Sequence, residues 1–561
     1  MVRYTVKQQL QGFPVRQMVV ISLIRFSEPI ALTSLFPYLY YMIRDFQVAK
    51  NEDDIPRYSG YLASSFSFCQ FLFAIQWGKL SDRIGRKLVL LIGLLGTSLS
   101  LILFGFSTNF YFALMARSLS GCLNGNMPVL RTAVGEIAHE KRHQPIAFST
   151  LPLLFNFGSV VGPMIGGYFA TPNLKNPYHT SDEIHVFEKI SHKYPYLLSN
   201  LVVACFLWFS CICGALFLEE THEDLKNKRD YGVDLGDYLL TKLGYSCPPR
   251  PWNKFDNHKP IPSPSPSPAP TEETALLNDN ASITSEDSIQ AFDGDATSIE
   301  TRIEDAVGNA IIRTYSNNSE ITDLEENDSN VRNQKRKIDY SGAFTHRVLK
   351  VMCGYFILSL HSVTYSQFLP VFLAGSFKPD KLKFPFTIVG GFGMNTKTIG
   401  TLISSTGIMG ILIILLIFPF LDNKLGTING YRLSTSIFPL VYFLVPFTIF
   451  TVKDYNDIFP EWFSTIVLYS LTALRTLASA TGAPQINILS HRASTPRHRA
   501  YVNSTIMTSL SFANFSAPLL FGWLMSVGEK YQTGWLIWWI ISCLALGGMI
   551  QLFWLEDYDD E

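Results

Sequence analysis

The stretch Trp77-GKLSDRIGRKLVLLI-Gly93 decides how the chain is read. Five charges, Lys79, Asp82, Arg83, Arg86 and Lys87, stand between two apolar runs, GYLASSFSFCQFLFAIQ before and LVLLIGLLGTSLSLILFGF after. Each run has about the length a helix needs to cross a bilayer's hydrocarbon core at ~1.5 Å per residue. A charge cluster between two such runs cannot sit in lipid, so it forms the hairpin between two spanning helices. Gly78 and Gly85 permit a tight turn there.

Outward from this hairpin, apolar runs of spanning length cover 18–43, 60–78, 88–107, 110–131, 146–170 and 196–218. After a gap they resume at 348–374, 398–420, 432–452, 462–489, 502–526 and 533–554. The composition agrees: of 561 residues 47% are hydrophobic and 16% charged, against about 25% charged in soluble proteins. A net charge of −1 gives no nucleic-acid surface. The polar, basic N-terminus lacks the short apolar core of a cleaved signal peptide, so the first span is read as the targeting signal. Seven of the eight cysteines (Cys69, Cys122, Cys205, Cys211, Cys213, Cys353 and Cys543) lie in apolar runs, as small hydrophobes packed between helices.

Basic residues set the orientation. Arg3, Lys7 and Arg16 precede span one, the opening cluster fills the second hairpin, Arg131, Lys141 and Arg142 follow span four, and Arg492, Arg497 and Arg499 follow span ten. All fall on one side of an alternating chain, which makes that side and both termini cytoplasmic. The expected organisation is a cytoplasmic N-terminus (1–17), a six-helix half (18–219), a cytoplasmic linker (220–345), a second six-helix half (346–555) and an acidic tail (556–561). The linker carries PPRPW, SPSPSPAP and acidic Ser/Thr/Asn-rich sequence, too poor in apolar residues to offset the entropy of ordering. It is expected to be disordered, with room for short helices, and its sequons at Asn280, Asn317 and Asn327 to stay unglycosylated.

A repeat underlies the two halves. WGKLSDRIG aligns with FPFLDNKLG, matching Gly85 to Gly426; RSLSGCLNGN aligns with RTLASATGAP, matching Arg117 to Arg475. FGSVVGPMIGGYF aligns with FANFSAPLLFGWL, matching Pro163 to Pro518 and Gly167 to Gly522. Three motifs recurring in order mean parallel duplication, which in transporters puts the substrate site at the midplane between halves.

With these motifs in place, the chain resembles the major facilitator superfamily throughout, apart from the linker. The opening burst matches that family's G-x-x-x-D-x-x-G-[RK]-[RK] signature at Gly78, Asp82, Gly85, Arg86 and Lys87. The resemblance implies a latch holding the cytoplasmic ends of the halves together in the outward-open state, built from Asp82, Arg83 and Arg86 with Glu136 at the end of span four. Gly158, Gly162, Pro163, Gly166 and Gly167 resemble the signature of the family's antiporters. By spacing alone, Gly158, Gly162 and Gly166 form a smooth face for close helix packing and Pro163 bends the helix. Arg117 with Gly121 is similar to the family's R-x-x-Q-G motif, with Ser120 in place of the glutamine. EPIALTSLFPYLYYMIRDF, LNGN and HRAYVNSTIMTSLSFANFSAP resemble zinc-induced facilitator-like proteins and their fungal relatives, of drug:proton antiporter type. The plant members' Cys-Pro-x-Cys loop motif is absent, so zinc-linked transport is not carried over.

Charges inside the spans are the candidates for ion coupling. An arginine in a bilayer costs about 2.5–3.5 kcal/mol even on a lenient scale, so Arg117 needs a partner or a cavity. Arg25 and Glu28 share a face of span one, and Glu28 is the carboxylate set well inside a span. It is either a static ion-pair partner of Arg25 or Arg117, or a proton carrier. His361 and Arg475 are the candidates of the second half. HEKRH at His139–His143 satisfies the H-E-x-x-H zincin pattern, but it sits in a short basic loop with no third ligand, so neither a metal nor an enzyme is expected. In the linker, Glu272 precedes Leu276 and Leu277 by four, resembling an acidic dileucine signal read by sorting adaptor complexes.

The expectation is therefore an all-α membrane protein of twelve helices, moving a small organic solute by alternating access, without a cofactor. Protons are the expected coupling ion and antiport the expected mode, with a uniporter, a nutrient symporter or a transporter-like sensor signalling through the linker as alternatives. A vacuolar or endolysosomal membrane is favoured over the plasma membrane.

Overall fold

The computed structural model describes residues 11–138, 140, 143–172, 193–222, 224–245, 250, 344–494 and 499–555. Six spans form each half. In the first, span one is α1 (Val15–Thr33) continued by α2 (Leu39–Asp45), span two is α3 (Ile55–Ile84) and span three is α4 (Arg86–Gly105). Span four is α5 (Phe110–Leu123) continued by α6 (Asn126–Ile137), span five is α7 (Gln144–Phe169) and span six is α8 (Leu197–Phe217). A further helix, α9 (Tyr231–Lys242), follows. The second half holds α10 (His346–Ala374), α11 (Thr396–Leu412) with a π turn at Ile413–Ile417, α12 (Phe418–Leu444), α13 (Glu461–Ala493), α14 (Arg499–Lys530) and α15 (Leu536–Gln551). The first turns of α12 finish span eight, and its remainder past Gly426 is span nine. Nine stretches among the described residues are each long and apolar enough to cross a bilayer; spans one, two and four complete the twelve.

Spans one and four depart from the continuous helices expected at 18–43 and 110–131. Pro37 has no N–H to give, and Ser34–Tyr38 form turns between α1 and α2. In span four the break falls at Asn124 (φ −88°, ψ 76°) and Gly125. Trp77 fills the space a Gly125 side chain would need, and its indole N–H donates to the Cys122 carbonyl at 2.7 Å, satisfying an acceptor released at the end of α5. Span two falls short on hydropathy because serines and glutamines (Ser59, Ser64, Ser65, Ser67, Gln70 and Gln76) line it.

The repeat is visible in the backbone. Gly85 (φ 101°, ψ 158°) and Gly426 (φ 74°, ψ 167°) take the same left-handed, extended conformation at matching hairpins, open to glycine and strained for other residues. The halves meet through the same device used twice. Gly400 on α11 lies on the Pro163 carbonyl and Gly167 of α7, and Gly60 on α3 lies on the Pro518 carbonyl and Gly522 of α14.

These crossings sit at the face opposite the basic hairpin, here called the distal face. Cross-half hydrogen bonds gather there: Thr396 Oγ1 to the Gly167 carbonyl (3.0 Å), Ser404 Oγ to the Val160 carbonyl (2.7 Å) and the Arg57 N–H to Ser526 Oγ (3.0 Å). One buried apolar cluster runs through both halves, while a second stays within the first half, among α1, α4, α6, α7 and α8. The halves are thus shut at the distal face.

The segment expected as linker begins with structure. α9 lays Gly232 and Gly236 on the Ala215 and Leu216 carbonyls at the end of α8. Arg250 binds Asp237 through both Nε (2.5 Å) and Nη2 (2.8 Å) and also reaches Glu219, while Arg16 reaches Asp237 at 3.0 Å. Residues 231–242 and Arg250 therefore pack on the end of the first half.

Candidate functional site

Below the Pro163–Gly400 crossing, α7, α11 and α13 enclose a cavity of about 430 Å³ that extends toward the basic face. Its walls differ. The α11 side and the π turn contribute Ile403, Ile411, Ile414 and Leu415, while α7 and α13 contribute Asn156, Ser159, Thr476, Ser479 and Asn487. The π turn at Ile413–Ile417 lies where span eight borders the cavity, Ile414 and Leu415 being among the lining residues. Arg475 brings the one formal charge among the described lining residues.

Arg475 is held from behind. Its Nη2 donates to the Ser362 carbonyl (3.2 Å) and to Ser366 Oγ (3.1 Å), and its guanidinium lies 4.9 Å from the Tyr365 ring centre. Its Nε is buried without a hydrogen-bond partner. The matching Arg117 stacks on Phe66 at 4.6 Å and likewise has a buried, unpartnered Nε. The duplicated arginines thus each rest on an aromatic face, Phe66 of span two in the first half and Tyr365 of span seven in the second. His361 is enclosed; its Nδ1 is 2.9 Å from the Tyr442 hydroxyl, and the Phe438 ring lies 5.0 Å away.

Arg25 and Glu28 form a buried ion pair at 2.7 Å. Arg25 also donates to the Leu151 carbonyl (3.2 Å), touches Met127 and stacks on Phe155 at 4.9 Å. Leu151 and Phe155 belong to the helix whose neighbouring residues Pro152, Leu153 and Asn156 line the cavity, so the pair sits directly behind the cavity wall. Glu28 is joined to Arg25 rather than Arg117. Pro29 removes the helical donor for the Arg25 carbonyl, and its ring lies against Gly158. Gly162 meets Thr33 and Gly166 meets the Ser34 carbonyl, so Gly158, Gly162 and Gly166 seat span five on span one, whereas Gly167 turns to the other half.

At the basic hairpin, Arg86 binds Asp82 (2.5 Å), Glu136 (3.1 Å) and Ser81 Oγ (3.1 Å). Lys87 binds Asp230 (2.6 Å) and the Ala215 carbonyl (2.8 Å); Arg83 is exposed. All these contacts stay inside the first half. A Cβ placed on Gly78 would meet nothing within 4 Å, nor would one on Gly426. Among the described residues the hairpin's ion pairs do not bridge the halves in this conformation. The sorting residues Glu272, Leu276 and Leu277 lie outside the described residues, as does His139. His143 is buried, edge-on to Phe13, with Nε2 3.1 Å from the Gln11 carbonyl.

Two features escaped the sequence reading. Glu220 accepts the Arg86 (2.9 Å) and Lys87 (3.2 Å) N–H groups at the start of α4, a carboxylate on a helix N-terminus. The signal is an acidic stretch just past span six, not tied by spacing to the helix it caps. At the distal face, Glu52 of the first half binds Lys378 (3.1 Å) and Ser376 Oγ (3.0 Å) of the second, and Glu529 accepts the Gly390 N–H at 2.7 Å nearby. Burial raises the Glu52 carboxyl, but the hydrogen bond and charge of Lys378, with Ser376 and Arg44, outweigh it and hold the group below its ordinary value. No local pattern joins residues 52 and 378.

A shut distal face, duplicated crossings and a cavity open toward the basic face are the geometry of a solute carrier caught in one of two states. The Major Facilitator Superfamily profile matches residues 21–382. The chain belongs to the major facilitator superfamily. A major facilitator superfamily multidrug transporter, mfsB of Aspergillus fumigatus, is 33% identical over 99% of this chain and 86% of its own length. Protein ZINC INDUCED FACILITATOR-LIKE 1 of Arabidopsis thaliana is 23% identical over 94% of this chain and 87% of its own. Among solved structures, the human organic anion transporter MFSD10 superposes with a TM-score of 0.52 at 14% identity, covering 96% of this chain and 99% of that one. That likeness is one of fold. As a member of this superfamily the chain is an integral multi-pass membrane transporter of small molecules.

Proposed function

We propose that this transporter moves a small organic solute out of the cytoplasm in exchange for protons, with the basic face toward the cytoplasm. One observation carries the reading: a buried Arg25–Glu28 pair directly behind the wall of a cavity that is shut on the distal side. A change of state that moves span five relative to Arg25 loosens its hold on Glu28, and a carboxylate that takes up a proton in one state and releases it in the other carries one proton per cycle. The names of the relatives, a multidrug transporter among them, agree with efflux of organic solutes. The acidic dileucine Glu272, Leu276 and Leu277 adds a vacuolar or endolysosomal address, where a proton gradient is available.

The test is transport in proteoliposomes with an imposed pH difference. Glu28→Gln keeps shape and hydrogen bonding but releases no proton. It is expected to exchange solute down a gradient at close to the wild-type rate and to lose uphill accumulation. If uphill transport persists, Glu28 is a structural partner of Arg25 and the coupling reading fails.

A further inference from the structure

We infer that the cavity selects an amphipathic organic anion, its carboxylate or sulfonate drawn to Arg475 and its apolar body laid against α11. This rests on the reading above that the cavity is the solute site.

Charge is the first argument. Arg475 faces the cavity, and among the described residues no carboxylate lies within ion-pair distance of it. By contrast Arg25 and Arg86 each hold a carboxylate at 2.7 Å or closer. A guanidinium at membrane depth whose described surroundings are a carbonyl, the Ser366 and Tyr442 hydroxyls and an aromatic face, with no carboxylate, is incompletely compensated. An anionic ligand would supply the missing charge and occupy donors that now have no acceptor. A cation would be repelled, since nothing acidic lines the described wall.

The remaining wall supports the assignment. Asn156, Ser479 and Asn487 are neutral groups able to donate hydrogen bonds to an acid's oxygens, whereas the Thr476 hydroxyl already donates to the Thr472 carbonyl at 2.7 Å. Asn487 is fixed by Tyr355, whose hydroxyl donates to its Oδ1 at 2.9 Å, leaving its NH₂ to face a ligand. Facing these groups, Ile403, Ile411, Ile414 and Leu415 give an apolar surface. A cavity of about 430 Å³ is of the size that encloses a ligand of one or two rings.

The experiment measures binding to the purified full-length protein by thermal shift, using three probes with one body: 4-phenylbutanoate, 4-phenylbutanamide and 4-phenylbutylamine. The acid is expected to half-saturate at a concentration at least roughly tenfold below the amide, the gain expected of a charge-assisted contact. The amine is expected to give no shift. Arg475→Gln should erase the difference between acid and amide, and Arg475→Lys should keep part of it. Ser479→Asp, one turn along α13, places a carboxylate beside Arg475 and should also cancel the preference for the acid. That variant leaves the arginine and its supports in place should Arg475→Gln fold poorly. Equal binding of acid and amide, a preference for the amine, no shift with the acid, or an acid preference surviving both substitutions would each overturn the inference. Flux in proteoliposomes is read separately. Acid-selective binding without flux counts against transport and leaves the anion site standing; flux without charge preference does the reverse.

Discussion

Replacing Gly400 should push the molecule toward its other state. A Cβ at this position would stand 2.5 Å from the Pro163 carbonyl oxygen and 3.0 Å from the Gly167 Cα, both backbone atoms that no rotamer change can move. Restoring an ordinary contact of about 3.4 Å or more needs α7 and α11 to separate by roughly 1 Å at their crossing. Overpacking of this kind costs about 1–3 kcal/mol, or roughly a 5- to 150-fold loss of the distal-closed state relative to one in which the crossing is open. Gly78 is the control. It has free space around it here, so a side chain there costs nothing in this state, and its conflict would arise when the basic face closes. Spin labels at the exposed positions Asn51 and Lys381, one on each half at the distal face, report the separation directly. Gly400→Leu should shift the distance distribution to longer values, whereas Gly78→Leu should leave it at the short value while stopping transport. Should Gly400→Leu keep the short distance and the wild-type transport rate, the reasoning that this crossing is a gate fails.

Asp82→Asn should leave membrane abundance nearly intact and cut transport at least several-fold, because Arg86 loses one of its two carboxylates; a wild-type rate in proteoliposomes would remove the hairpin from the mechanism. The Glu52–Lys378 pair predicts a pH effect at the distal face. Its folded-state carboxyl lies below the ordinary value, so the pair's contribution to the shut state is full above the ordinary carboxylate range and fades as pH falls through the lowered value. Acidifying a wild-type sample below about pH 4 should therefore lengthen the Asn51–Lys381 distance more than it does in Glu52→Gln, and equal responses would dismiss the pair. Replacing Leu276 and Leu277 with alanine should move a fluorescent fusion from the vacuolar to the plasma membrane, and unchanged delivery would show that the motif is silent.

Features legible in the sequence are those whose constraint is local. Gly85 and Gly426 could be matched because a hairpin with positive φ needs glycine wherever it occurs, and Pro163 and Pro518 because each precedes a glycine by four in the same motif. The number of spans followed from the length of the apolar runs. The breaks in spans one and four did not, since the Gly125 break is completed by Trp77, forty-eight positions earlier in the chain. Arg25 and Glu28 could be paired because they lie three apart on one helix. The Glu52–Lys378 contact depends on how the halves meet, and α9 looked like linker because its contacts are with α8 and Arg250 rather than with a core of its own.

The repeat makes the remaining asymmetry informative. Both halves keep the same backbone hardware: a glycine hairpin, a proline carbonyl set on a glycine of the other half, and an arginine laid over an aromatic ring. Duplicated hardware suits duplicated motion, since each half must rock against the other at equivalent crossings. Beyond Arg117 and Arg475 the charges are not duplicated. Behind the cavity the first half holds an arginine with its own carboxylate, whereas the second half holds His361 against Tyr442 and leaves Arg475 toward the cavity. The two tasks proposed for the site make opposite demands on charge. A proton carrier needs a carboxylate whose partner can be withdrawn, and an anion site needs a cation that no fixed carboxylate has already claimed. Placing them in different halves lets one movement of span five loosen the Arg25–Glu28 pair and reshape the wall facing Arg475 at the same time. On that reasoning Glu28→Gln and Arg475→Gln should separate cleanly: the first loses uphill transport while keeping the preference for the acid probe, and the second loses that preference while still responding to the pH gradient. If either variant lost both properties while remaining folded, the two halves would not divide the work in this way.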